Sequence, residues 1–348
     1  MNRNFSPQRM FQAIADAHVP RHRFAGKTRA EFEQWKSSTL PKVLATLGDR
    51  PGRVPANPEL SAEWEHDGLL KQRWLIDVGP HISAACLVNR PKDLRAGQRA
   101  PTILCCHGHG PWGKEPVMGN DSTPDLRAHV ATHNYNYGHV MAKAGYVTFS
   151  IDWIGFGERN DSNKPNYLNI NAGRDWCNLY YLHATMLGTT SLAINVAHGQ
   201  AATDFACSLP FVDGSRLGVM GLSGGGTMTL WMALADERFK AAEIMCYSDL
   251  WANFGIHDIN YCGMQVAPGL FKLVDLPDLQ GLLAPRPLVI DIGAKDTCFV
   301  VDTAMKCYRH LETIYKAADA SERLELDLHP NEHGWGGNKS LAFFKKYL

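Results

Sequence analysis

The chain has 348 residues, a formal net charge of zero and 20% charged side chains. This length exceeds the roughly 250–300 residues at which single cores stop growing, so we expect one elaborated domain or a domain with an appendage. The charge balance argues against nucleic acid and anionic membranes as partners. No apolar run reaches the roughly 18 residues that a membrane-spanning helix needs.

The amino terminus and the cysteines bear on the cellular location. The first ten residues lack the apolar segment of a secretory signal. Nine cysteines are scattered without a C-x-x-C spacing, and several lie in apolar runs such as 103–106. This pattern favours reduced thiols in a cytoplasmic protein and argues against a disulfide framework or a zinc site.

In chain order, residues 1–65 are predicted to form a helical extension that packs on a main domain of residues 66–348. Strands are predicted at 71–77, 82–88, 102–106, 146–151, 216–220, 243–247, 288–292 and 324–328. Helices are predicted at 138–144, 190–207, 224–235, 303–316 and 339–347. Because helices separate all but the first two strands, we expect an α/β fold with a mostly parallel, eight-stranded sheet flanked by helices.

Residues 108–137, 160–185 and 249–285 are expected to shape the pocket. Two of these stretches, 108–137 and 249–285, do not follow the alternation of strands and helices and come directly after predicted strands. Open α/β sheets bind their ligands at the carboxyl ends of the strands. We therefore interpret these stretches as loops, or a small cap, that face the substrate.

The sequence Gly-Leu-Ser-Gly-Gly at 221–225 matches the G-x-S-x-G motif between a predicted strand and a predicted helix. The motif indicates a nucleophilic serine only when a strand precedes it and a helix follows it. The flanking glycines permit the sharp turn that leaves Ser223 projecting above the sheet, and the amino end of the helix faces any negative charge that develops there. Ser223 is thus the candidate nucleophile.

A serine hydroxyl needs a neighbouring base, and the base needs an orienting acid. In hydrolases of this design the chain order is serine, acid, histidine. Asp296 follows the strand 288–292, and His333 follows the strand 324–328. They are the candidate acid and base, while Asp249 is an alternative acid.

The backbone N–H groups of Gly224 and of His109 or Gly110 are the candidate oxyanion-hole donors, because they follow the nucleophile and the strand 102–106. A metal site formed by the histidines at 107, 109, 129 and 133 is the rival interpretation of this region. We favour the reading without a metal, since a metal on His107 and His109 needs a third ligand, and the sequence does not show the helix that would bring His129 and His133 together. Trp112, Trp251 and Trp335 are candidate substrate-binding aromatics, although ordinary packing would explain them equally well.

The same residues carry a family resemblance. The loop 107–110, the segment 152–159, the elbow 221–225 and the segments 283–288, 293–296 and 333–335 follow the order found in α/β-hydrolases. In detail, residues 70–348 resemble the acetyl xylan esterase-like and dienelactone hydrolase-like branch. Dienelactone hydrolases proper carry a cysteine nucleophile where this chain has Ser223, and glucuronoyl esterases carry an arginine where it has Gly224.

The resemblance implies a serine carboxylic ester hydrolase that needs no cofactor and acts on a small-molecule ester with a short acyl group, such as acetyl on a carbohydrate. An oligopeptidase-like enzyme or a thioester hydrolase would use the same triad. A non-catalytic ligand-binding protein of this fold is the alternative of a different class. The sequence leaves a homo-oligomer open.

Overall fold

The computed structural model describes residues 3–161 and 175–348, so the expectation for 160–185 lies outside the described residues at positions 162–174. The described strands form one sheet in the order β1-β2-β3-β5-β4-β6-β7-β8-β9. Their bounds are β1 (Glu59–His66), β2 (Leu69–Gly79), β3 (Ile82–Pro91), β4 (Ala100–Cys106), β5 (Val147–Ile151), β6 (Val212–Leu222), β7 (Phe239–Met245), β8 (Leu288–Gly293) and β9 (Leu324–His329).

The helices of the described residues cover both faces of the sheet. They are α1 (Pro7–Asp16), α2 (Arg29–Ala45), α3 (Lys114–Val117), α4 (Pro124–His133), α5 (Tyr137–Lys143), α6 (Trp176–Met186), α7 (Ser191–Ser208), α8 (Gly224–Ala235), α9 (Leu270–Leu273), α10 (Leu276–Gly281), α11 (Val301–Ala317) and α12 (Ser340–Tyr347). None of them is long and apolar enough to cross a membrane.

Side chains of β4 show how the sheet divides the core. Leu104 and Cys106 belong to the cluster that includes side chains of α7 and α8. Ile103 and Cys105 belong to a second cluster with side chains of α5 and α12. Successive residues of a strand point to opposite faces, so a continuous apolar run is buried on both sides, as in parallel sheets between two helical layers.

The pairing pattern confirms the predicted α/β fold with a mostly parallel sheet. Strands β2 and β3 form an antiparallel hairpin, and β3 pairs antiparallel with β5. From β5 to β9 all neighbours are parallel. The sheet has nine strands rather than eight, because β1 adds an antiparallel edge to β2. Every residue of β1 is exposed, so it lacks the buried face whose pattern reveals a strand.

Side chains of the N-terminal segment are part of the hydrophobic core of the main domain. Phe24 and Phe32 belong to the larger hydrophobic cluster. The backbone N–H of Phe24 donates to Oδ1 of Asp278 on α10 at 2.9 Å. The predicted division at residue 65 falls inside β1, so the sheet itself begins within the segment that we assigned to the extension.

Candidate active site

Ser223 lies at the turn between β6 and α8 with φ 60° and ψ −120°, a conformation that side-chain-bearing residues rarely adopt. Its backbone N–H donates to the carbonyl oxygen of Met245 at 2.8 Å. A Cβ on Gly221 would lie 2.5 Å from the carbonyl oxygen of Gly225, and one on Gly225 would lie 2.0 Å from that of Cys106. Only glycines fit these positions, so the motif residues hold the strained serine.

Asp296 and His333 meet beyond the carboxyl ends of β8 and β9. Nδ1 of His333 lies 2.8 Å from Oδ2 of Asp296. Oδ1 of Asp296 accepts the backbone N–H groups of Cys298 at 2.7 Å and of Phe299 at 3.1 Å. The ring of His333 also stacks on Phe299, with centroids 5.9 Å apart. The carboxylate is therefore fixed, and it fixes the imidazole.

The electrostatics keep Asp296 ionised. Burial would raise the pKa of its carboxyl, but the hydrogen bond and charge of His333, together with the two backbone N–H groups, hold that pKa below its usual value. A carboxylate is an acceptor only, so a neutral His333 ring carries its proton on Nδ1 and leaves Nε2 free of it. That is the form that can take a proton from a hydroxyl.

Ser223 and His333 line the same cavity, whose volume is about 240 Å³. The described lining consists of His109, His129, His133, Tyr135, Leu222, Ser223, Asn260, Gln265, Cys298, Phe299 and His333. Drug-sized ligand pockets measure about 300–1,000 Å³. By this measure the cavity is small.

Residues 107–110, here called the oxyanion loop, approach the elbow closely. A Cβ on Gly108 would lie 2.5 Å from the carbonyl oxygen of Leu222. A Cβ on Gly224 would lie 2.8 Å from Nδ1 of His109 and 3.6 Å from its backbone nitrogen. The structure thus brings the backbone of His109 beside Gly224, the first residue of α8. Gly110 lies in the same loop but is not among the described residues that line the cavity.

The segment 133–137 joins the oxyanion loop to residues 330–337, here called the base loop. Nδ1 of His133 lies 2.5 Å from the carbonyl oxygen of His333, and Nδ2 of Asn134 donates to the carbonyl oxygen of Trp335 at 3.0 Å. The hydroxyl of Tyr135 accepts the N–H of Gly108 at 2.6 Å. The stretch 108–137 therefore positions both loops, a role that its sequence did not reveal.

None of the three candidate aromatic residues is among the described residues that line the cavity. Trp112 packs against His129, with centroids 5.2 Å apart, and only His129 lines the cavity. Trp251 is buried beside α1 and lines a separate cavity of about 480 Å³. Trp335 is buried in the core, where its indole N–H is shared by Glu243 at 3.2 Å and by a serine hydroxyl. Direct substrate contact by Trp251 and Trp335 is therefore not supported.

The rival metal site is also not assembled as the sequence suggested. His107 is fully buried, its Nε2 accepts the N–H of Trp153 at 3.0 Å, and its Nδ1 lies 2.7 Å from the carbonyl oxygen of Gly108. Burial lowers the pKa of His107 to about 4, so its ring is neutral and both nitrogens are engaged. The rings of His129 and His133 do contact each other at 4.9 Å, and both serve as cavity wall.

Sequence reasoning missed the contribution of Asn260, Gln265 and Phe299 to the cavity. Asn260 and Gln265 lie within 249–285, which we expected to face the substrate, but their side-chain directions had no local signal. Nε2 of Gln265 donates to Oγ1 of Thr227 on α8 at 3.2 Å, a contact between residues 38 positions apart. Phe299 could have been suspected from its place three residues after Asp296.

A mostly parallel sheet, a serine at a strained strand-to-helix turn, and an acid and a histidine after later strands define an α/β-hydrolase. The model of the Abhydrolase family matches residues 2–326. The chain belongs to this family. The matched residues include Ser223 and Asp296, while His333 lies beyond them.

The individual proteins that the chain resembles have low sequence identity to it. A Bacillus subtilis protein named "Putative hydrolase YtaP" is 24% identical over 289 residues, which cover 81% of this chain and 88% of that protein. A "putative acetyl xylan esterase" from Bacteroides fragilis has a TM-score of 0.73 at 17% identity, covering 94% of this chain and 83% of the other. A glucuronoyl esterase from Solibacter usitatus has a TM-score of 0.64 at 16% identity, covering 90% and 93%. At these identities the structural likeness concerns the fold.

Proposed function

We propose that the protein is a serine hydrolase of carboxylic esters with a short acyl group, and that carbohydrate esters are its substrate class. The observation that carries this proposal is the strained Ser223 in one cavity with a histidine that is bonded to a buried carboxylate at 2.8 Å. The small volume of the cavity favours an acetyl-sized group. The names of the acetyl xylan and glucuronoyl esterase neighbours support a carbohydrate ester.

In the proposed reaction, Oγ of Ser223 attacks the ester carbonyl while Nε2 of His333 accepts the hydroxyl proton. Asp296 holds the imidazole in the required tautomer and stabilises its charged form. The backbone N–H groups of Gly224 and His109 stabilise the oxyanion, a contribution of about 3–4 kcal/mol in enzymes where one such donor has been removed. His333 then protonates the leaving alcohol, and water releases the acyl group from the serine.

The test is the hydrolysis of p-nitrophenyl esters from acetate to octanoate by the wild type and by Ser223→Ala. We expect the rate to be highest for acetate and to fall with acyl length, and the variant to lose about 10⁴-fold or more in kcat. Ser215→Ala is the matched control, because Ser215 is an exposed serine on β6, the strand that precedes Ser223. Full turnover by Ser223→Ala would refute the mechanism.

The carbohydrate assignment needs a second comparison. Acetylated xylan oligosaccharides and a glucuronoyl ester are offered at equal concentration, beside p-nitroanilide and thioester analogues of acetate. Faster turnover of a sugar ester than of p-nitrophenyl acetate supports the substrate class. Turnover of the amide or thioester alone would assign the same triad to another reaction.

A further inference from the structure

Two cysteines lie in contact beside the oxyanion loop. Sγ of Cys177, in the first turn of α6, is 2.6 Å from Sγ of Cys262, although the two residues are 85 positions apart. Non-bonded carbon atoms in contact have an optimal separation of about 3.5–4.0 Å. A disulfide requires about 2.05 Å. The two sulfur atoms are thus closer than simple neighbours and within a small movement of a covalent bond.

The backbones around the two sulfurs hold them together. The N–H of Gly263 donates to Oδ1 of Asn178 at 2.8 Å, and the N–H of Met264 donates to Sγ of Cys177 at 3.3 Å. A Cβ on Gly263 would lie 2.2 Å from Cβ of Tyr181 and 3.0 Å from the carbonyl oxygen of Cys177. The segment 262–264 is therefore seated on α6 by its main chain, as a cross-link between these elements requires.

The chemistry of the two sulfurs differs. The contact with Cys262, opposed by burial and aided by His109, lowers the pKa of Cys177 to about 6. Burial and the neighbouring Cys177 raise the pKa of Cys262. Nε2 of His109 lies 2.9 Å from Sγ of Cys262. The N–H of Met264 and the amino end of α6 both stabilise a thiolate at Cys177, and a thiolate is the reactive form of cysteine. Cys177 is therefore suited to react first and Cys262 to resolve the product.

We propose that Cys177 and Cys262 form a peroxide-sensitive dithiol that closes to a disulfide and cross-links α6 to the segment 262–264, beside His109 of the active-site cavity. The Cys177 thiolate attacks one oxygen of hydrogen peroxide, the O–O bond breaks, and the departing hydroxide takes a proton to become water. Cys262 then attacks Sγ of the resulting sulfenic acid, the S–O bond breaks, and a second water leaves. Two thiols and one peroxide thus give one disulfide and two waters.

A metal site is the other use of this cluster, since His109, Cys177 and Cys262 offer three ligand atoms within 4.8 Å of one another. Tetrahedral zinc with Zn–S bonds of about 2.3 Å keeps its two sulfurs about 3.7 Å apart. The observed separation of 2.6 Å is much shorter. The geometry therefore favours the disulfide, and zinc binding becomes an outcome of the test.

The experiment exposes the full-length, reduced protein to stepped hydrogen peroxide, blocks free thiols, and identifies linked peptides by mass spectrometry without reduction. We expect a Cys177–Cys262 peptide that dithiothreitol reverses, and two fewer titratable thiols than the nine of the reduced chain. Cys207 and Cys298 are internal controls, since both are half-exposed and have a raised pKa. Oxidation of these two while Cys177 stays reduced would overturn the proposal.

Variants give a second readout. In Cys262→Ser the link cannot form, so Cys177 is expected to accumulate as sulfenic acid that dimedone labels, whereas Cys207→Ser keeps the link. Oxidation should raise Tm by roughly 5 °C or more in the wild type, because the bond closes a loop of 86 residues. The same treatment should leave Tm of Cys262→Ser unchanged. Protection of the pair from peroxide by stoichiometric zinc would show a metal site instead. None of these readouts requires esterase activity, so a failure here is separable from a failure of the proposed function.

Discussion

Replacing Asp296 by asparagine isolates the role of the carboxylate in setting the tautomer of His333. Oδ1 of Asp296 accepts two backbone N–H groups, and Oδ2 faces Nδ1 of the imidazole. An asparagine keeps its oxygen toward the two N–H donors, because the reverse orientation would place donors against donors. Its NH₂ group then faces His333, whose Nδ1 must become an acceptor. The proton moves to Nε2, which can no longer accept one from Ser223.

The expected loss follows from this change of tautomer. In a serine protease, the equivalent asparagine substitution lowers kcat about 10⁴-fold. That factor corresponds to about 5.5 kcal/mol of transition-state stabilisation. We expect a similar loss of kcat for Asp296→Asn, with KM little changed because no substrate contact is removed. The measurement is steady-state hydrolysis of the best p-nitrophenyl ester, with circular dichroism to verify the fold.

The matched control is Asp249→Asn, the alternative acid in the sequence. Asp249 is buried like Asp296, but its Oδ2 accepts the hydroxyl of Thr303 at 2.8 Å rather than a histidine. We expect its kcat to stay within about threefold of the wild type, because the tautomer of His333 is unaffected. If Asp296→Asn kept more than a tenth of the activity, or if Asp249→Asn lost it, the assignment of the acid would be refuted.

Three further changes test the surroundings of the site. His133→Ala should lower kcat about 10- to 100-fold, because it frees the carbonyl of His333 that His133 contacts at 2.5 Å; an unchanged kcat would contradict this. Gly225→Ala should cost roughly 3 kcal/mol or more in urea unfolding, since its Cβ would lie 2.0 Å from a carbonyl oxygen, whereas Gly52→Ala, with nothing within 4 Å, should be neutral. Burial and neighbouring carboxylates raise the pKa of Glu243 to about 8, so its contribution to stability is lost as pH rises from about 4.5 through 8. The free energy of unfolding of Glu243→Gln should therefore fall less than that of the wild type between pH 6 and pH 9. If the two free energies changed with pH in parallel, the raised pKa would be refuted.

The places of the three candidate catalytic residues could be predicted because they depend on patterns that are local in the sequence. Runs of buried apolar residues mark the parallel strands, and the residues that follow such strands lie at one edge of the sheet. The structure brings Ser223, Asp296 and His333 together after β6, β8 and β9. Their catalytic roles remain predictions until the variants are assayed.

What the sequence did not reveal depends on side-chain direction and on distant partners. The indole N–H of Trp335 points to Glu243, 92 positions earlier in the chain, a partner that no local sequence pattern indicates. The strand β1 was missed because every one of its residues is exposed. The contact between Cys177 and Cys262 joins residues 85 positions apart, and no local sequence pattern indicates it.

The order of the strands in the sheet explains why residues 133–137 are needed to connect the oxyanion loop with the base loop. Strands β4 and β9, which carry the oxyanion loop and the base loop, are separated in the sheet by β6, β7 and β8. At about 4.8 Å per strand, their ends lie roughly 19 Å apart. The base loop must therefore extend back across the sheet for His333 to reach the cavity that it shares with Ser223.

Because the base loop extends away from β9, it needs contacts with another part of the protein to hold its position. His133 and Asn134 supply it through hydrogen bonds to main-chain carbonyls at 333 and 335, while Tyr135 fixes the oxyanion loop one residue further on. Tyr137 adds a bond from its hydroxyl to the carbonyl oxygen of Cys106 at 2.5 Å. Since both loops are tied to the same five residues, the spacing between the predicted base and the predicted oxyanion donors is set by this segment and not by the sheet alone.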